Sequence, residues 1–312
     1  MTRARALFTA AISASLLAIT ACGSSSSPVA STTTPAGGAS SAAASSGGTV
    51  IVGSANFSEN ELLAEIYIEA LNAKGVKTSA KLNIGAREVY IPALKDGSIN
   101  LIPEYSGVLL EYFDKTATAV SSAGIFAALP AVVPAGLEVL PQSQAQDQDA
   151  IVVTAKTAAK YNLKTIADLA PVANKLVLGA GAEFETRVDG IPGLKKDYGV
   201  TFKTFKTTDS GGPVTVAALK NGQIDAADLF TTDPSITQNH DVILQDPKNL
   251  YTAQNVLPLI STAKATPTVV SALNAVSAKL TTPILASLDA KVYDKQDPDA
   301  VAKAWLASVG LS

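Results

Sequence analysis

Cysteine and histidine are almost missing from this chain, with one of each, Cys22 and His240, in 312 residues. That excludes a zinc centre of Cys and His ligands, and any disulfide within one chain. A site of carboxylates alone could still hold a cation, but no D-x-D-x-D-G loop suggests one; neither a metal nor a cofactor is expected. G-x-S-x-G is absent, and His240, in T-Q-N-H-D, has no evident serine partner. A secreted hydrolase therefore lacks its nucleophile and base, and nothing marks a glycosidase carboxylate pair. Basic stripes are missing as well. With 24 basic against 27 acidic residues, a net charge of −3 and a pI near 5.3, the chain offers nothing to track nucleic-acid phosphates. Aromatic residues make up only 5%, so each ring near a loop carries weight.

What is present describes a folded body behind a leader. Hydrophobic residues at 47% and charge at 16%, over this length, suffice for two domains with proper cores. Arg3 and Arg5 precede an apolar run through Phe8, Ile12, Leu16 and Leu17, which ends in small residues before Cys22. The spacing predicts a secretory signal over 1–22, too short for a comfortable membrane span. The small residues ahead of the only cysteine resemble a bacterial lipobox. That implies cleavage before Cys22, a lipid on its thiol, and a lipid-anchored extracytoplasmic location at the cell membrane. Residues 23–48 hold only Gly, Ala, Ser, Thr, Pro and Val, and cannot repay the entropy of ordering. As a coil they would span roughly 25–30 Å, a tether.

The body is organised by an internal repeat. A-L-K-D-G-S-I-N-L-I-P-E-Y-S-G from Ala93 returns as A-L-K-N-G-Q-I-D-A-A-D-L-F-T-T from Ala218, at an offset of 125 residues. V-I-V-G at Val50 and L-V-L-G at Leu176 repeat at 126. Two lobes of similar build are expected, with Tyr105 and Phe230 at equivalent strand ends, facing each other across a cleft. In the first lobe the pattern predicts a strand over 49–53 and a helix from Glu59, with Ser58 and Glu61 as a capping box. Strands over 77–84 and 99–102 follow, separated by a helix carrying Val89, Tyr90 and Leu94. The second set comprises strands over 176–178, 200–205 and 224–229, with a helix over 214–220. Alternation of strand and helix indicates an α/β fold with parallel sheets, whose ligands sit beyond the carboxyl ends of the strands. That rule selects the loops 54–58, 85–87 and 104–107 in one lobe, and 179–187 in the other. The stretch 142–149 is the expected crossover, and 246–258 the return. Trp305, among Val301, Ala302 and Leu306, suits a core-facing stripe.

Four stretches carry a family resemblance: G-S-A-N-F-S-E-N (53–60), the segment 93–107, F-E-T-R-V-D-G-I-P-G-L (184–194) and D-L-F-T-T-D-P-S-I (228–236). In order, and over nearly all of 49–312, the chain resembles the substrate-binding proteins of glycine betaine/choline-type osmoprotectant ABC transporters. The resemblance implies a type II periplasmic-binding-protein fold. Lobe 1 would comprise 49–147 and 255–312, and lobe 2 would be 148–254, joined by two crossovers. It implies a quaternary ammonium solute held in an aromatic cage, membrane permease and ATPase subunits as partners, and a monomer. Tyr105 matches the family's P-E-Y-T-G aromatic, Phe230 the aromatic before T-D, and Arg187 the arginine before D-G. Thr231, Thr232 and Asp233 continue the T-D motif, and Asn60 falls where a glutamine is common. Where the family often carries further tyrosines near the return crossover, this chain reads Y-T-A-Q-N from Tyr251. Tyr90 is the compensating ring or a packing residue. Arg87, at a helix start against the dipole preference, faces a ligand anion or a lobe-to-lobe salt bridge. Asn56 and Phe57 brace their loop or touch ligand. A different small polar or aromatic solute, or a sensor without transport, fits the same fold.

Overall fold

The computed structural model describes residues 48–312. The signal segment, Cys22 and nearly all of the tether lie outside the described residues.

The chain first lays down β1 (Val50–Gly53), α1 (Ser58–Asn72), β2 (Thr78–Lys81), α2 (Arg87–Lys95) and β3 (Leu101–Tyr105). Then come α3 (Ser106–Phe113), α4 (Ser122–Val132) and β4 (Leu137–Val139). After a crossover the motif repeats as β5 (Asp149–Val153), α5 (Ala155–Tyr161), β6 (Val177–Ala180), α6 (Ile191–Tyr198), β7 (Thr204–Thr207), α7 (Pro213–Lys220) and β8 (Ala226–Phe230). α8 (Pro234–Gln238) and β9 (Val242–Ile243) complete that lobe. The chain returns through β10 (Val256–Ser261) and ends in α9 (Pro267–Lys279), α10 (Thr282–Tyr293) and α11 (Pro298–Ser308).

Two five-stranded sheets result, ordered β2-β1-β3-β10-β4 and β7-β6-β8-β5-β9. The orders correspond strand for strand. In each sheet three parallel strands meet an antiparallel crossing strand, β10 against β3 and β5 against β8. The repeat extends to single contacts. The Asn100 side chain accepts from the Ile51 N–H at 3.0 Å, and the Asp225 side chain from the Val177 N–H at 2.9 Å. Gly53 lies against Ile99 as Gly179 lies against Ile224, each too close for a Cβ.

Strand alternation distributes the core. Val256 and Ile260 pack under α1 and the terminal helices, whereas Leu257 and Leu259 face Ile91, Leu94, Leu109 and Leu129 on the other side. Ile151 and Val153 likewise oppose Ala150 and Val152. Trp305 is buried on α11 in the first of these clusters, as its stripe predicts. Among the described residues no single helix is long and apolar enough to cross a membrane. α9 and α10 reach that length only together, bent by 94°.

Several local expectations are corrected. Phe57, not Ser58, occupies the N-cap of α1, and no side chain caps it, so the capping box does not form. Asn60, inside the first turn, holds the entering loop instead. Strand ends move by one to four residues, and for β3 and β8 pairing with the crossing strands sets the limits. β3 thus runs on to Tyr105, opposite Val256. It passes straight into α3, so the expected loop over 104–107 is strand end and helix start. Gly107 makes this possible, since a Cβ there would meet the Ala253 carbonyl at 2.7 Å.

Candidate functional site

The two crossing segments run side by side, joined by a Gln146–Asn255 bridge and by the Asp147 N–H donating to Gln254 O at 3.2 Å. The carboxyl ends of β1, β3, β6 and β8 converge above them, and a cavity of about 50 Å³ lies between the lobes.

In the first lobe the loop after β1 is pinned from beneath. Asn60, fully buried, accepts from the Ala55 N–H at 2.7 Å and donates to Pro103 O at 3.0 Å. Both ends of its amide are used by the fold, and it does not line the cavity. The loop so fixed presents Asn56 and Phe57 to the cleft.

Glu104 is the next anchor. Completely buried, it accepts from Arg87 Nε at 2.8 Å, Arg87 Nη2 at 2.9 Å, Tyr90 Oη at 2.6 Å and the Tyr105 N–H at 2.9 Å. The fork of Arg87 matches the carboxylate bidentately. Of the two roles expected for Arg87, the lobe-to-lobe salt bridge is not formed, because its partner lies within the same lobe. Arg187 makes that bridge instead, with Glu88 across the cleft at 3.1 and 3.0 Å.

Three rings span the cleft. Phe57 lies tilted against Tyr105 with centroids 6.0 Å apart, and stacks on Phe230 at 4.9 Å. Tyr105 and Phe230 close the equivalent strands β3 and β8, and Phe57 contacts both rings. Tyr90 and Phe184 add two further rings to the cavity wall. Phe230 leans over Gly211, whose φ of +67° and 2.8 Å approach to the ring favour glycine. Tyr251 belongs to the second lobe's core and does not line the cavity.

Tyr105 is nearly buried, and its hydroxyl donates to Glu59 Oε1 at 2.6 Å. The other oxygen of Glu59 accepts from Thr232 Oγ1, in the opposite lobe, at 2.8 Å. Burial and then the neighbouring Asp289 hold Glu59 well above the ordinary carboxylate range. Thr232 and Asp233 border an adjoining groove rather than the cavity itself. Thr231 donates to Asp147 Oδ1 at 3.1 Å, and the Thr232 N–H reaches the same oxygen at 2.9 Å.

The sequence reading missed the acidic side of the cavity: Asp147, Asp149, Glu183 and Asp228. Burial, then neighbouring Asp189, pushes Asp149 up to about 7. Asp228 is also raised well above the ordinary carboxylate range, through burial and then Asp149 and Asp189. One signal for Asp228 was available. It stands two residues before Phe230 on β8, so both side chains leave the strand on the same face.

Rings from both lobes over buried carboxyls make a host for a small organic cation. The comparisons with known proteins agree in kind. Residues 48–308 match the family model described as the substrate binding domain of ABC-type glycine betaine transport system. The chain belongs to this family. It is 27% identical over 258 residues to the glycine betaine-binding protein YehZ of Escherichia coli, covering 79% of this chain and 83% of the relative. It is 29% identical over 154 residues to the carnitine transport binding protein OpuCC of Listeria monocytogenes, about half of each chain. The solved structure of apo YehZ superposes with a TM-score of 0.57 at 26% identity, covering 85% of this chain and 99% of that one. A glycine betaine/carnitine/choline ABC transporter structure superposes at 0.65 with 23% identity, covering 84% and 99%. These superpositions establish the type II periplasmic-binding-protein fold. Family membership makes the chain an extracytoplasmic solute-binding transport component rather than an enzyme, with permease and ATPase subunits as its partners.

Proposed function

We propose that the protein captures a small quaternary ammonium solute, such as glycine betaine or choline, between its lobes and delivers it to the permease. The carrying observation is the run of rings Tyr105, Phe57 and Phe230 across the cleft. A quaternary nitrogen has no N–H to donate, so aromatic faces are its natural host. Each such contact contributes about 0.5–2 kcal/mol, most when desolvated. The names of the relatives, glycine betaine and carnitine binders, support the same class.

In this reading Tyr105, Phe230, Phe57 and Tyr90 enclose the cation, and Asn56, Arg87 and Arg187 border the rest of the solute. Asn60, Thr231, Thr232 and Asp233 hold the surrounding loops in place. The lobes, 49–147 with 255–312 and 148–254, hinge where Gln146 meets Asn255. The protein works as a monomer, tethered to the outer face of the cell membrane by a lipid on Cys22. Titration calorimetry with glycine betaine, choline, carnitine and proline betaine tests the assignment. At least one binds in the micromolar range, and silence for all four would overturn it.

A further inference from the structure

We propose that the solute is a net cation carrying at least one O–H or N–H donor and no carboxylate. The inference rests on the cleft being the solute site, and it narrows the solute within that class.

The charges around the cavity are already committed unequally. Arg87 and Arg187 are the basic side chains that line it, and each is held by a carboxylate through two hydrogen bonds, Glu104 and Glu88 respectively. A solute carboxylate entering here would compete with partners already in place. It would also sit among Asp147, Asp149 and Asp228, with no further cation to balance it. The zwitterion's negative end is therefore the part of a betaine that this cleft disfavours.

The acidic side has the opposite character. Asp147 and Asp228 are 3% and 6% exposed, and both line the cavity. One oxygen of each, Asp147 Oδ2 and Asp228 Oδ1, is buried without a hydrogen-bond partner. A buried carboxylate oxygen left unpaired is unfavourable, so each of these is an acceptor awaiting a donor. A bare tetraalkylammonium cannot supply one. A hydroxyl or amine on the same cation can, while its positive charge relieves the repulsion among the carboxyls. Burial raises both Asp149, to about 7, and Asp228, and a bound cation would favour their charged forms.

The test uses three probes that share the methylated ammonium head: choline, glycine betaine and tetramethylammonium. Titration calorimetry on the folded protein at pH 7.5 should give choline a Kd at least tenfold below either of the others. Glycine betaine binding as tightly as choline would overturn the exclusion of carboxylate, yet leave quaternary ammonium capture standing. Tetramethylammonium matching choline would overturn the need for a donor. Silence for all three would overturn this inference, and silence for carnitine and proline betaine as well would overturn the reading of the cleft beneath it. Asp228→Asn should shrink the preference for choline over glycine betaine at least tenfold, and Asp147→Asn serves if the first variant does not fold. Undiminished discrimination in a folded variant contradicts the assignment of these oxygens.

Discussion

The ring of Phe57, at the N-cap of α1, stacks on the ring of Phe230, at the end of β8, with an interplanar angle of 30°. The two residues belong to different lobes, so their contact is part of what holds the cleft shut. Both are only half-buried. Phe230→Ala should therefore weaken binding of the preferred solute at least tenfold in calorimetry, and shift the melting temperature little. A large stability loss without change in affinity would place the ring in the core instead.

Tyr105 is different, because its ring is buried and its hydroxyl serves Glu59. Tyr105→Ala should lower both affinity and melting temperature. Tyr105→Phe keeps the ring and removes only the donor, so it should retain solute binding within a few-fold while lowering stability by about 1–3 kcal/mol in denaturant melts. Tenfold lost affinity in Tyr105→Phe would show that the hydroxyl, not the ring, meets the solute.

Glu104 holds four donors at once, and Arg87 depends on it for charge compensation. Glu104→Gln leaves a buried guanidinium unpaired, at a cost of about 3–5 kcal/mol. Chemical denaturation should register that loss. A near-native midpoint would mean that Arg87 finds another carboxylate.

The acidic cluster sets a pH dependence whose sign is fixed. Asp149 and Asp289 titrate near 7 in the folded protein, chiefly through burial, and Glu59, Asp147 and Asp228 are also raised. Unfolded carboxylates titrate near 4. The folded state thus holds more protons between about pH 4 and 7, and its stability declines as pH rises through that window. The melting temperature of the solute-free protein should fall from pH 5 to pH 8. A rise over the same range would contradict the cluster as described.

Cys22 lies outside the described residues, and the lipid anchor proposed for it rests on the leader sequence alone. Cys22→Ser should move the protein from the membrane fraction to the soluble extracytoplasmic fraction. Unchanged membrane retention would contradict a lipid anchor at this position.

Much of the architecture was readable because it is written twice. The A-L-K-x-G segments repeat at one offset, and Asn100 and Asp225 make equivalent bonds in equivalent lobes. Strand limits were less legible, since β3 and β8 end where the crossing strands β10 and β5 stop pairing. The ring at Tyr105 stood out in its motif, whereas Phe57 passed as a loop brace because its partner is 173 positions away in the chain. Asp147 and Asp149 sit in a polar crossover stretch that reads as linker, and only the closed lobes turn them toward one cavity. That Arg187 rather than Arg87 bridges the lobes depends on which carboxylate each can reach, and no local pattern carries that.

The most direct measurement is a structure of the protein bound to its tightest quaternary ammonium ligand. The account predicts the ammonium centre within about 6 Å of the ring centroids of Phe57, Tyr105 and Phe230, with Phe57 and Phe230 drawn apart from their 4.9 Å stack. A ligand seated elsewhere, with that stack unchanged, would contradict it.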